Sequence, residues 1–200
     1  MASQPRPFLT PDQYLEVERA ADYRSEHLDG EMFALAGNSP RHNLIINNIG
    51  RALHPQIKGR CHYFTTDLRL FVPATGLYTY PDLMVVCGPI AYEGDRKDIV
   101  TNARFIVEVL SPSTATGISQ CFWRGNKLVH YRSIPTLADY LTVAQDETRA
   151  EHTARQPDGS WLLRTFTSPE DTIHIASIDA TLRLRQIYED AYEDAYDDLA

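Results

Sequence analysis

An acid inside a buried strand is the tightest constraint this chain carries. Phe105-Ile106-Val107-Glu108-Val109-Leu110 is an apolar run of strand length with a glutamate in it. Pro81-Asp82 leads directly into a second such run, Leu83-Met84-Val85-Val86. Continuous apolar runs this short belong to strands covered on both faces. An uncompensated carboxylate in such a strand is expensive to bury, so Glu108 must be paired or must bind a cation. The two runs are expected as neighbouring strands joined by a long crossing segment, with an acid at the end of each.

Around this pair the chain reads as a mixed α/β (α+β) sheet flanked by helices, with additional antiparallel strands near the C-terminus. Thr10-Pro11-Asp12-Gln13 combines an N-cap, a proline at the first helical position and a glutamine three residues after the cap, which starts a short helix. Asp29-Gly30 between extended runs predicts a two-residue hairpin turn, with Glu31 just beyond it. Pro40 opens a second helix that carries Leu44, Ile45, Ile49, Ala52 and Leu53 on one face and ends near Gly59. Cys61 to Val72 alternates as one extended stretch and, with the two apolar runs, is expected among the central strands, whereas Gly88 to Asn102 is polar and reads as a surface loop or a short frayed element. A helix is expected over Phe122 to Arg132 and a strand over Leu137 to Val143. Thr148 to Arg155 and Trp161 to Thr167 form a hairpin about Pro157-Asp158-Gly159, and Ile173 to Ile175 and Leu182 to Leu184 supply edge strands. Residues 1–188 are read as one domain, which suits a chain of 200 residues, and 189–200 as an acidic tail.

Composition narrows the functional classes. Six of the 27 acids fall in Glu189 to Ala200, which holds no base, so the rest of the chain sets 21 acids against 19 bases and is nearly neutral despite a net charge of -8. That balance leaves a nucleic-acid partner open. Arg41, Arg51, Lys58, Arg60 and Arg69 are candidates for a DNA-facing surface, and ordinary surface scatter explains them equally well. The tail repeats Tyr-Glu-Asp-Ala with a four-residue period; it reads as a solvated tail or as a phosphate mimic lying in a basic groove. No apolar run approaches the roughly 20 residues of a membrane span, and Met1 to Pro7 lacks the apolar core of a secretory signal, so a cytoplasmic location is expected. Cys61, Cys87 and Cys121 show no Cys-x-x-Cys spacing and are expected as reduced, buried thiols. No His-x-x-His or His-Glu-x-x-His spacing points to zinc, no Gly-x-Ser-x-Gly marks a serine hydrolase, and no glycine-rich phosphate loop is present.

Two strand-end acids and a lysine on a following helix suit phosphodiester cleavage, which needs a water nucleophile, neutralised phosphate charge and help for the departing oxygen. Asp82 and Glu108, with a backbone carbonyl near Val109, are the candidate ligands of Mg²⁺ or Mn²⁺. Lys127 is the candidate for orienting or deprotonating water or stabilising charge, and Glu31 the candidate fourth member. The residue types alone leave open a structural reading, in which Asp82 caps a strand and Glu108 pairs with Arg104 or Arg69. His42 is either a contact of phosphate or of the active site, or a helix-end residue. Ser111, Ser113 and Thr114 read as turn and cap residues.

The succession Asp29-Gly30-Glu31, Pro40-x-His42, Tyr80-Pro81-Asp82, Val107-Glu108-Val109-Leu110-Ser111-Pro112-Ser113-Thr114, Lys127-x-x-x-Tyr131 and Leu137-x-x-Tyr140 resembles the Uma2 family of putative restriction endonucleases, within the PD-(D/E)XK nuclease superfamily. The resemblance covers roughly residues 8 to 188. It implies a restriction-endonuclease-like mixed sheet, Mg²⁺ dependence, Asp82 and Glu108 as metal ligands, and Lys127 in place of the lysine that the superfamily usually sets two residues after the glutamate, where this chain has Leu110. Relatives commonly carry an aspartate four residues before that helical lysine; this chain has Trp123. The expectation is therefore a metal-dependent endonuclease acting on DNA as a homodimer. The alternative is a catalytically weakened nuclease-fold module that binds nucleic acid or an unidentified protein partner.

Overall fold

A computed structural model describes residues 8–35, 37–110 and 127–191 of the chain. Helix α1 (Pro11–Ala20) begins at a complete capping box, in which the Thr10 side chain accepts from the Gln13 amide and Gln13 returns a bond to the Thr10 amide. Strands β1 (Ser25–Leu28) and β2 (Glu31–Ala34) close as a hairpin over Asp29 and Gly30, both at positive φ (50° and 80°). Only glycine holds such a φ without cost. Replacing Gly30 with valine is expected to lower stability by about 1–2 kcal/mol, measured by urea unfolding; an unchanged midpoint would show that the turn adapts.

The remaining elements form two six-stranded sheets and a ribbon. The first sheet runs β2-β1-β5-β4-β8-β7, where β4 is Arg69–Val72, β5 Leu77–Thr79, β7 Tyr92–Glu93 and β8 Arg96–Val100. The second runs β12-β11-β10-β9-β6-β3, where β3 is Cys61–Thr65, β6 Leu83–Cys87, β9 Phe105–Leu110, β10 Asp139–Ala144, β11 Ala150–Arg155 and β12 Trp161–Phe166. Strands β13 (Thr172–Ile175) and β14 (Ala180–Arg183) pair as the ribbon. Helix α2 spans Pro40–Ile57, α3 Lys127–Tyr131 and α4 Leu184–Ile187. Side-chain parity sorts the layers. Val107 and Val109 of β9 join Leu141, Ile49, Leu53 and Ile173 in a core between the second sheet, α2 and the ribbon. Ile106, Met84 and Val86 face the other way and pack with Leu28, Leu70 and Val100 of the first sheet. Helix α1 covers the outer face of the first sheet through Tyr14 and Leu15 against Tyr78 and Ile99.

Three expectations need correction. Cys61 to Val72 is not one central strand: Thr66 at φ 38° breaks it, leaving β3 at the edge of the second sheet and sending β4 into the first. Gly88 to Asn102 is neither a surface loop nor a frayed element throughout but contains β7 and β8, because Arg69↔Ile99 and Leu70↔Val100 offer β8 a parallel partner that its polar composition does not advertise. Cys61 and Cys87 are not separate thiols; the β3–β6 register sets them directly opposite, Cα atoms 4.1 Å apart, and they form a disulfide. The expected helix over Phe122 to Arg132 appears as α3, its first residues lying outside the described ones, as do Cys121, Trp123, Ser111, Ser113, Thr114 and residues 192–200. The tail begins on α2, where the Asn48 side chain donates to the Glu189 carbonyl at 2.7 Å and Arg51 pairs with the Glu189 carboxylate. No described helix is long and apolar enough to cross a membrane.

Candidate active site

The β6–β9 register places the two strand acids. Leu83 faces Val107 and Met84 faces Ile106 across an antiparallel ladder, so one further step sets Asp82 opposite Glu108. Both share the parity of Met84 and Ile106 and therefore turn into the space between the sheets. The Val109 amide donates to Asp82 Oδ2 at 2.7 Å, which locks the carboxylate beside β9. His42, held at the first turn of α2 by its amide donating to the Ser39 side chain, brings Nε2 within 3.2 Å of the same oxygen. His42 is thus both a helix-end residue and a contact of the candidate site.

Glu108 is buried, and its Oε1 receives two donors from α3: the Lys127 ammonium at 3.2 Å and the Tyr131 hydroxyl at 2.7 Å. The four-residue spacing of Lys127 and Tyr131 puts them on one helical face, so a single turn of helix addresses one carboxylate. Lys127 also reaches Glu26 Oε1 at 2.7 Å, and Thr79 of β5 donates to the same Glu26 oxygen. Neither Arg104 nor Arg69 pairs with these acids; Arg69 lies instead against Glu18 and Asp98.

Burial dominates the electrostatics. It pushes the Glu108 carboxyl up to about 7, with Lys127 opposing the rise and Asp82 adding to it. Burial also works against the charge on Lys127, but the adjoining Glu108 and Glu26 carboxylates outweigh it and hold the ammonium above its ordinary range. Deprotonation of water by Lys127, one of the roles its position suggested, is thereby disfavoured: the group stays a cation and acts by charge and position. Burial and the neighbouring Glu108 likewise keep the Tyr131 phenol protonated.

His42, Asp82, Glu108 and Lys127 line a cleft of about 350 Å³, together with Tyr23, Arg24, Asn38, Asp67 and Tyr80. Of the four residues singled out from sequence, Asp82, Glu108 and Lys127 meet here and Glu31 does not. Glu31 lies on β2 opposite Leu28, one strand further out on the edge of the first sheet. The further acid that reaches Lys127, besides Glu108, is Glu26, on β1. Its position two residues before Leu28 was the available signal, since equal parity sends both inward, but the polar run Ser25-Glu26-His27 disguises a strand that is buried at every position.

The matched span extends over nearly all of this architecture. Residues 11–185 match the family model Uma2, described as "Putative restriction endonuclease". The chain belongs to the Uma2 family. The protein sll1609 of Synechocystis sp. is 36% identical over 156 residues, covering 78% of this chain and 85% of that one. A second Synechocystis protein, slr1290, is 31% identical over 189 residues, covering 93% and 94% respectively. In structure the chain is similar to a "putative nuclease belonging to DUF820" from Anabaena variabilis, with a TM-score of 0.72 at 16% identity over 94% of this chain and 99% of that one. That likeness bears out the mixed α+β fold, and the Uma2 membership carries the nuclease-like character at the level of the family.

Proposed function

We propose that the Uma2 cleft hydrolyses phosphodiester bonds in DNA, with Asp82 and Glu108 holding Mg²⁺ or Mn²⁺. One observation carries the reading: Glu26 and Glu108 share the single Lys127 ammonium while Asp82, held by the Val109 amide and His42, adds a third carboxylate beside them, so three acids face one lysine and one histidine. Such an excess calls for a cation. Among the described residues no group of three or more His, Cys, Asp and Glu side chains converges as a ready-made metal cage. Two carboxylates with water and substrate oxygens nevertheless suit Mg²⁺, which keeps several waters and rarely uses an all-protein shell. A bound divalent ion would supply Lewis acidity at the phosphate and an acidified water. The chain's own residues position that chemistry. The Val109 amide and His42 orient Asp82, while Lys127 and Tyr131 fix Glu108 through one oxygen. Lys127 keeps its charge beside the reacting phosphate. Glu31 is assigned no contact with it.

The reading places the protein in the cytoplasm with its substrate, as one domain over 1–188 followed by the acidic tail, and as a homodimer whose two-fold axis matches that of duplex DNA. A second reading, a nuclease-fold module that binds nucleic acid or a protein partner without cutting, is favoured by the raised Glu108 carboxyl. A proton held there near neutral pH balances charge as a metal would. Incubating the protein with supercoiled plasmid and Mg²⁺ or Mn²⁺ separates the two. Nicking that disappears with chelator and in Asp82→Ala supports hydrolysis; intact plasmid, together with no heat of Mg²⁺ or Mn²⁺ binding in calorimetry, supports the binding module.

A further inference from the structure

The second sheet has a cleft on its other face. Asp139 and His152 share the parity of Leu141 and Ala150, which belong to the core packed on α2 and the ribbon, so they point away from Asp82 and Glu108. Here, at the start of β9 and β10, lies a cavity of about 450 Å³ that has no lining residue in common with the candidate active site. Its floor is an ordered polar pair. His152 Nε2 sits 2.7 Å from Asp139 Oδ1, and the Ser177 amide donates to Asp139 Oδ2 at 3.2 Å. Burial works against the Asp139 charge, but those two partners outweigh it and hold its carboxyl below the usual range.

The walls are basic in an acidic protein. Arg104 and Arg164 line the cavity, and neither forms an ion pair or side-chain hydrogen bond among the described residues. Arg155 contributes its stem, because its guanidinium donates to the carbonyls of Arg132, Ile134 and Pro135 and stacks over Trp161. His174 stands at the rim. The one acid, Asp139, is 2% exposed and has both carboxylate oxygens occupied. The Ser177 hydroxyl is buried with no hydrogen bond of good geometry among the described residues, although its side chain helps to hold the Asp139 carboxyl down. Two uncommitted guanidiniums and a hydroxyl without a well-formed hydrogen bond around one cavity of small-ligand size match a tetrahedral oxyanion.

We propose that this cleft binds a phosphate group, with Arg104 and Arg164 supplying the charge and Ser177 a neutral hydrogen bond. The phosphate can belong to a free small anion or to a nucleic-acid backbone crossing the second face of the sheet. It stands independently of whether the first cleft cuts DNA.

Calorimetry on the full chain, without divalent metal, tests it with inorganic phosphate, deoxyadenosine monophosphate and a blunt DNA duplex. Arg164 is exposed on an edge strand, so Arg164→Glu leaves the core untouched; Arg104→Ala and Ser177→Ala complete the set, and Asp82→Ala reports on the other cleft. Saturable binding of phosphate and the mononucleotide that falls about tenfold in Arg164→Glu and Arg104→Ala, but persists in Asp82→Ala, supports a small-anion site. Binding of the duplex alone, weakened by the same two substitutions, supports the backbone as the source. Binding by no probe, or binding that the arginine substitutions leave unchanged, overturns the proposal.

Discussion

Glu108→Gln is expected to lower metal-dependent plasmid nicking roughly a thousandfold while making the metal-free protein more stable at neutral and alkaline pH. The activity loss follows from the proposed ligand role: a metal supplies several kcal/mol of transition-state stabilisation, and an amide at this position holds the ion poorly. The stability gain follows from linkage. The Glu108 carboxyl titrates near 4.5 when unfolded and at about 7 when folded. A group raised on folding contributes stability that is fully present below its unfolded value and is lost as pH rises through its folded value. Wild type should therefore lose, relative to Glu108→Gln, on the order of 2–3 kcal/mol between those limits. Urea unfolding of both proteins from pH 4 to 8, with chelator, reads the difference. Parallel curves would mean that the carboxylate is already compensated in the folded state.

Lys127→Met is expected to have the opposite effect on stability, costing about 3–5 kcal/mol. The ammonium is the shared counter-ion of Glu26 and Glu108, and all three groups are buried. Removing it leaves two carboxylates facing each other across a methionine of similar volume. The prediction carries its own internal control, since Glu26→Gln in the same chain removes one of the stranded charges and should restore at least half of the loss. A double-mutant cycle on unfolding free energies measures that coupling. A cost below about 1 kcal/mol for Lys127→Met, the range of a solvated surface pair, would show that the cluster is not organised by this lysine.

These two residues also mark how far the sequence reads. Glu108 was legible because an acid within an apolar strand violates a local rule, and such violations point to pairing or function. Asp82 was legible through its place before the neighbouring apolar run, and Lys127 through its place on the expected helix and through the family resemblance. Glu26 was hidden: β1 is buried because α1 covers one of its faces and the second sheet the other, between β2 and β5, not because its residues are apolar. Glu31 drew attention from the turn beside it, yet the hairpin places it a strand away from the cleft. The same reason accounts for the polar strand β8 and for the Cys61–Cys87 bridge. Partners and register of strands distant in sequence are long-range facts, and no local spacing encodes them.

The sequence by itself determined the element types wherever a short-range rule operates: the capping box at Thr10, the turn at Asp29-Gly30, the apolar face of α2, and the two buried strands with their acids. It also determined that Glu108 needed a partner. Only the tertiary structure decided which partner. Antiparallel β6 and β9 bring Asp82 opposite Glu108, α3 lays Lys127 and Tyr131 on one oxygen, and the first sheet closes Glu26 over the same ammonium. Each of those contacts joins residues from different elements, so its energy exists only once the sheets have packed.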